Sequence, residues 1–269
     1  VSAPGRRAGL LEEVSSLARR AGEAILAVVR DDLGEVERKE DGSPVTRADR
    51  AAEEILVAGL RALEPGLVVV SEEGDVEASA GRAGGTYWLV DPLDGTKEFI
   101  KGRPEYTVNV ALVEDGAPVL GVVQIPAADC LYAAARGAGA RRVDARGEAR
   151  LQAAPVDRPR RAVVSRSHLD PATERFLARL GVTDTTPSGS SLKLCAVAEG
   201  RADVYPRFGP TCLWDTAAGA AVALEAGCAV VDLQGRPLRY DVAGGLKHSG
   251  FLVCAPGGVL GACLEALRA

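Results

Sequence analysis

Two short apolar runs that end abruptly in carboxylates constrain this chain more than any other feature. Leu67-Val-Val-Val70 leads straight into Ser71, Glu72 and Glu73, and Tyr87-Trp-Leu-Val90 leads into Asp91-Pro-Leu-Asp94-Gly-Thr96. Each run reads as a buried strand. Two such strands bring their terminal acids together at one sheet edge. Any single strand-end acid reads as an ordinary solvated loop residue, but the pair Asp91 and Asp94 does not. Pro92 fixes its own backbone, and Gly95 permits a conformation closed to other residues. The resulting rigid turn holds two carboxylates and the Leu93 carbonyl around one point. Like charges this close resist joint ionisation, and a divalent cation removes the conflict. Oxygen ligands without His or Cys suit Mg²⁺ or Mn²⁺ better than Zn²⁺.

The surrounding pattern is mixed. Leu10, Val14, Leu17, Ala18, Ala21, Ile25 and Val28 recur at helical spacing over residues 10–30. Thr46 is placed to cap a second helix ending near Pro65, with Asp49 in its first turn. Residues 75–85 are small, polar and Gly-rich and predict a mobile loop. Strands over 106–113 and 118–125 flank a hairpin turn at Glu114-Asp-Gly116-Ala, and 130–135 is a further strand. Residues 136–161 carry Arg, Gly, Ala and Pro with weak periodicity. They predict a boundary between an N-terminal metal-binding α+β lobe, 1–155, and a C-terminal α/β substrate lobe, 156–269. Beyond it strands (162–165, 202–205, 228–232, 251–254) alternate with helices (171–180, 188–199, 214–226, 260–267), as in an α/β fold.

Composition narrows the function. A net charge of −5 offers no basic field for long nucleic acids. No apolar run approaches the roughly 20 residues of a membrane span. Residues 1–7 lack the apolar stretch of a signal peptide, so the expected location is the cytoplasm, free or at the periphery of the inner membrane. The six cysteines form no C-x-x-C pair and are expected to be reduced packing residues; two histidines rule against His-rich metal sites. Of the 32 basic residues only five are Lys, which draws attention to Lys97 and Lys193.

Gly95-Thr96-Lys97 directly after the acidic turn can present free N–H groups to phosphate oxygens if a helix starts there. An acidic metal site beside such a terminus is a phosphoryl-transfer arrangement. Asp-Gly-Thr also occurs in phosphatases with a nucleophilic aspartate two residues before the second acid. Here that position is Pro92, so water is the expected nucleophile.

Ser71-Glu-Glu73, Asp91-Pro-Leu-Asp-Gly-Thr96 and Trp214-Asp-Thr-Ala-Ala-Gly219 together resemble the three signatures of the inositol-monophosphatase superfamily, with Val45-Thr-Arg-Ala-Asp49 similar to its upstream element. They stand in the family's order and span about residues 10–255. Within the superfamily, Lys97-Glu-Phe-Ile100, Ser165-Arg-Ser-His168, Gly189-Ser-Ser-Leu-Lys193 and Tyr205-Pro-Arg-Phe-Gly-Pro210 resemble the CysQ-type 3′(2′),5′-bisphosphate nucleotidases. The resemblance implies a layered α/β/α/β/α sugar-phosphatase sandwich with two lobes. It implies two or three Mg²⁺ (Mn²⁺ the alternative) on Glu72, Asp91, Asp94, Asp215 and the Leu93 carbonyl, with Glu73 in support.

Thr96 and Asp49 would form a relay orienting the attacking water, and Glu72 would belong to the catalytic group. Leu93, Asp94, Gly95, Thr96 and Asp215 would border the substrate, and His168, Ser190, Lys193 and Arg207 would hold a second phosphate. By spacing alone Lys193 and Arg207 read as surface residues and His168 as a cap or a surface residue. Trp88 and Trp214 read as packing beside ligands. The implied activity is hydrolysis of 3′-phosphoadenosine 5′-phosphate to AMP, extending to its phosphosulfate, with lithium sensitivity, a role in sulfur assimilation and a homodimer common among relatives. The alternatives are an inositol- or sugar-phosphate phosphatase and a non-catalytic nucleotide or metal sensor.

Overall fold

The computed structural model describes residues 3–31, 37–38, 44–166 and 170–268. Helix α1 (Ala3–Asp31) and a two-stranded ribbon, β1 (Glu37–Arg38) with β2 (Pro44–Val45), lead into α2 (Arg47–Leu63). A seven-stranded sheet follows in the order β3 (Val68–Ser71), β4 (Thr86–Asp94), β5 (Thr107–Glu114), β6 (Ala117–Ile125), β7 (Cys130–Ala135), β8 (Gly139–Asp144) and β9 (Gly147–Leu151). Helices α3 (Val76–Arg82) and α4 (Thr96–Ile100) lie in its connections.

The second sheet is built from β10 (Arg161–Ser165), β11 (Asp184–Ser188), β12 (Val204–Arg207), β14 (Ala229–Asp232) and β16 (Phe251–Cys254), ordered β11-β10-β12-β16-β14. Between these strands run α5 (Pro171–Leu180), α6 (Leu192–Ala198) and α7 (Trp214–Glu225), and α8 (Val259–Arg268) closes the chain. A small ribbon pairs β13 (Thr211–Cys212) with β15 (Lys247–His248). No described helix is long and apolar enough to cross a membrane.

Five layers result: α1 and α2, the seven-stranded sheet, α6 and α7, the five-stranded sheet, then α5 and α8. The alternation of side chains along a strand sorts the core into two. On β4, Trp88 and Val90 face Ala18, Ile25, Leu56 and Leu60 of the outer helices, while Tyr87 and Leu89 face the layer of α6 and α7. Both faces are covered, which is why these strands read as unbroken apolar runs.

Helix α7 carries an acid of the site, so its depth matters. It packs across β6 at Gly121, where an added Cβ would lie 2.3 Å from the Ala218 carbonyl and 2.7 Å from Ala221 Cβ. Gly121→Ala is therefore expected to cost about 1–3 kcal/mol by overpacking and to lower activity as α7 lifts. Thermal melts and phosphate release from the same preparation check this; an unchanged melting temperature would refute the close approach.

Several elements differ from the sequence expectation. The loop expected over 75–85 contains α3, whose N-terminus is capped by the Asp75 carboxylate accepting from Ala78 N–H at 3.0 Å. Its small residues show little periodicity, and Ala80 is its one buried side chain. The stretch 136–161 holds β8, whose side chains are nearly all half-buried, and the edge strand β9, whose side chains are largely exposed, so neither shows a clear alternation. For the same reason the exposed edge strand β11 escaped notice. The 114–117 turn forms as expected, with Asp115 and Gly116 at φ 49° and 68°, a primed turn matching strand twist.

Candidate active site

Strand register builds the centre of the site. Strands β3 and β4 run parallel with Ser71 opposite Val90, and Glu72 N–H donates to the Val90 carbonyl at 3.1 Å. Glu72 and Asp91, the next residue along each strand, thus stand side by side. The ladder between β4 and β5 is interrupted between Asp91 and Asp94. Pro92, which has no N–H to give a ladder, lies inside that interruption. Asp91 Oδ1 accepts from Leu93 N–H at 3.0 Å, and Gly95 takes φ 92°. A Cβ on Gly95 would lie 2.8 Å from the Glu105 carbonyl, so both conformation and space demand glycine. Asp215 arrives in the first turn of α7, where the helix end favours an acid. Carboxylate oxygens of Glu72, Asp91 and Asp215 all lie within 4.8 Å of one another.

This cluster is electrostatically costly as it stands. Burial, reinforced by the neighbouring acids, pushes Asp91 and Asp215 well above the usual carboxylate range. Asp94 is raised to about 6, again chiefly by burial, although Lys193 and hydrogen bonds pull the other way. Asp91 Oδ2 is buried and has no hydrogen-bond partner. An orphaned buried oxygen among converging carboxylates fits a hard divalent cation: the donors are all oxygen, and the cation would cancel the repulsion that folding imposes.

Raised carboxylate pKa values mean that the folded protein holds protons which cation binding must release. Mg²⁺ is therefore expected to raise the melting temperature by several degrees at pH 7.5 and progressively less as pH falls through about 6. Melting with and without Mg²⁺ across pH 5–8 measures this, and a Mg²⁺ effect independent of pH would contradict it.

Asp94 stands beside the cluster: its Oδ2 accepts from Ser191 N–H, just before α6, at 2.6 Å and more distantly from Asn109 Nδ2 on β5 at 3.5 Å. Thr96 Oγ1 lies 3.3 Å from Asp49 Oδ1 and 3.1 Å from the Leu93 carbonyl. Asp49 is 1% exposed and, by burial, above the usual carboxylate range. Its other oxygen accepts from both the N–H and the hydroxyl of Thr46, at 2.7 Å each, completing a capping box on α2. The cap thus holds the Asp49 carboxylate in one orientation and leaves Oδ1 for Thr96.

A cleft of about 330 Å³ opens over these acids. Glu72, Asp91, Leu93, Asp94, Gly95, Thr96, Ser190, Lys193, Arg207 and Asp215 all line it. Asp49 lies behind Thr96, and Glu73 is not part of the lining. His168 lies outside the described residues. Lys193 is buried, donates to the carbonyls of Ser188 and Ser190, and sits 5.5 Å from the centre of the Tyr205 ring. Its burial lowers the ammonium to about 8. Arg207 Nε donates to Thr211 Oγ1 at 3.1 Å. Trp88 is fully buried in the core, whereas Trp214 borders the cleft. Five of the six cysteines are buried and none of the six is in a disulfide; Cys212, half-buried, also borders the cleft.

Sequence reading overlooked Ser191, Asn109 and Tyr205. Ser191 Oγ donates to Asn109 Oδ1 at 2.7 Å, so the residue ties Asp94 to β5 through both its main and side chain. Its position within Gly189-Ser-Ser-Leu-Lys193 was the available signal. Asn109 had none, being one polar residue inside an apolar strand.

Residues 9–263 match the Inositol monophosphatase family, almost the whole chain. The chain belongs to that family. The family is one of metal-dependent phosphatases, and the acidic cluster of Glu72, Asp91 and Asp215 could hold a metal ion. The chain is 49% identical over 247 residues to the 3′(2′),5′-bisphosphate nucleotidase CysQ of Salmonella typhimurium, covering 91% of this chain and 99% of that one. The Escherichia coli K12 enzyme of the same name is 48% identical over 246 residues, with the same coverage. Among solved structures, CysQ from Bacteroides thetaiotaomicron superposes with a TM-score of 0.79 at 41% identity, covering 92% of this chain and 97% of that one. An inositol monophosphatase from Thermotoga maritima reaches the same TM-score at 25% identity, with 97% of each chain covered. The family's mixed α/β fold with two sheets is thus shared with both branches, while sequence identity is higher to the nucleotidases.

Proposed function

We propose that this protein is a Mg²⁺-dependent 3′(2′),5′-bisphosphate nucleotidase that hydrolyses 3′-phosphoadenosine 5′-phosphate to AMP and phosphate. One observation carries the reading: an acidic cluster suited to a hard cation forms one wall of a cleft whose other wall presents Lys193 and Arg207. Glu72, Asp91, Asp94, Asp215 and the Leu93 carbonyl would hold the cation. Bound there, it supplies Lewis-acid chemistry, lowering the pKa of a water and neutralising charge on the phosphoryl oxygens.

The chain's own residues orient the attack. Thr96 has one hydroxyl proton; donating it to Asp49 Oδ1 leaves its lone pairs to accept from the attacking water. Asp49, pre-aimed by its cap, then draws the proton away from the water through Thr96. The 3′-phosphate lies over the acids, and the adenosine 5′-phosphate extends toward Lys193, Arg207 and Ser190. Arg207 offers a planar fork and Lys193 a point charge for that second phosphate. The residues meeting in the cleft support treating 1–155 as the metal-binding half and 156–269 as the substrate-binding half, with Asp215 crossing the division.

The alternative substrate class, phosphates on inositol, brings no second phosphate. A charge-assisted contact to the 5′-phosphate should favour the bisphosphate by about 10–100-fold in kcat/KM. Rates of phosphate release from 3′-phosphoadenosine 5′-phosphate and inositol 1-phosphate under the same Mg²⁺ measure it. A preference for the inositol ester would overturn the substrate assignment and leave the metal assignment standing.

A further inference from the structure

We propose that Glu105 and Arg166 are a positioning pair that sets the 188–191 turn against the acidic cleft and thereby tunes cation binding; the proposal rests on the reading of the acidic cluster as the cation site. Glu105 precedes β5 of the first sheet, and Arg166 follows β10 of the second. The two meet as a fork, Arg166 Nε and Nη2 donating to the two Glu105 carboxylate oxygens at 2.7 Å each. The same Nη2 donates to the Pro187 carbonyl at 2.8 Å, and Arg166 N–H to the Ser188 carbonyl at 3.1 Å. The Glu105 carboxylate also accepts from Gly189 N–H, and Arg166 above all holds it below the usual carboxylate range. Glu105 and Arg166 between them therefore grip three consecutive residues, 187–189.

The gripped turn is the one that serves the cleft. Ser190, directly after it, sits at φ 44°, a left-handed conformation that a side-chain-bearing residue adopts only when its surroundings impose it. Ser190 Oγ is buried with no hydrogen-bond partner, and the residue lines the cleft. Ser191 N–H then reaches Asp94 at 2.6 Å, and the Ser188 and Ser190 carbonyls receive Lys193. Without the fork, 188–191 can relax toward ordinary backbone angles, carrying the Ser191 N–H away from Asp94. Neither side chain lines the cleft, and the pair acts through the turn. It is only partly buried, at 22% and 35% side-chain exposure, so its worth as a simple surface salt bridge is small and its effect on function would be out of proportion to its effect on stability.

The test is a Mg²⁺ titration of the full chain followed by tryptophan fluorescence, with Trp214 next to Asp215 as reporter and no substrate present. Glu105→Ala and Arg166→Ala are each expected to weaken Mg²⁺ binding by about tenfold, the low end of what residues supporting metal ligands contribute. The double variant should be no weaker than the weaker single one, because the two side chains act as a unit. Arg166→Lys, which keeps the charge and loses the fork, should recover only part of the affinity. At saturating Mg²⁺ the kcat of all variants should return to near wild type, which separates a positioning role from partial unfolding. Unaltered Mg²⁺ affinity in folded single variants, or strictly multiplicative losses in the double variant, would overturn the pair's role. A wild-type chain that gives no Mg²⁺ response would overturn the cluster reading and the pair together. A normal titration with no hydrolysis of the bisphosphate would count only against the substrate assignment.

Discussion

Asp91→Asn is expected to reduce phosphate release by about 10³-fold or more while raising the melting temperature of the cation-free protein. Asp91 is 1% exposed, faces Glu72 and Asp215, and leaves Oδ2 without a partner. An asparagine keeps the Oδ1 that accepts from Leu93 N–H, so the turn is retained. Its amide nitrogen replaces an orphaned anionic oxygen with a donor aimed at two carboxylates. Relieving that repulsion should stabilise the cation-free fold by about 1–2 kcal/mol. The same change removes a ligand oxygen, so Mg²⁺ should no longer add much stability. Activity and melts with and without Mg²⁺ check both halves together. Hydrolysis at the wild-type rate, or a cation-free melting temperature several degrees lower, would show that the cluster serves the fold and not a cation.

Thr96→Val should lower kcat by about 10²–10³-fold with little change in stability, and Thr96→Ser should keep most of the rate. Valine matches the shape of threonine and deletes only the hydroxyl between Asp49 Oδ1 and the Leu93 carbonyl. Thr96 is the cleaner target of the two relay members. Asp49 also completes the cap of α2, so its substitution would mix lost proton transfer with about 1 kcal/mol of lost capping. Single-turnover measurements at saturating Mg²⁺ and substrate isolate the chemical step. A Thr96→Val enzyme within about threefold of wild type would remove the relay from the mechanism.

The two predictions differ in how visible their residues were beforehand. Asp91, Asp94 and Thr96 lie within six residues, in a turn whose Pro92 and Gly95 announce its rigidity, and β4 ends there as its apolar run requires. The partnership of Asp49 with Thr96 spans 47 residues, and that of Ser191 with Asp94 spans 97; no local pattern encodes either. Motif order supplied Asp49 and Asp215 as candidates, yet nothing in spacing alone put Lys193 in a buried position against Tyr205. The half-buried strand β8, the exposed edge strands β9 and β11 and the small helix α3 stayed illegible because their side chains bury too little apolar surface to leave a period in the sequence.

What the sequence determined by itself was local: buried strands that break into acids, a primed hairpin turn, a capped helix and glycine where the chain turns left-handed. Each depends on interactions among residues a few positions apart, which side-chain chemistry and backbone sterics dictate directly. Tertiary structure alone decided that four carboxylates, one just after β3, two on β4 and one on α7, meet beside a lysine of α6 and an arginine of β12. That meeting depends on sheet register, on the depth of α7 over Gly121 and on the turn at 188–191, all set by packing between distant segments and therefore written in no single stretch of the chain.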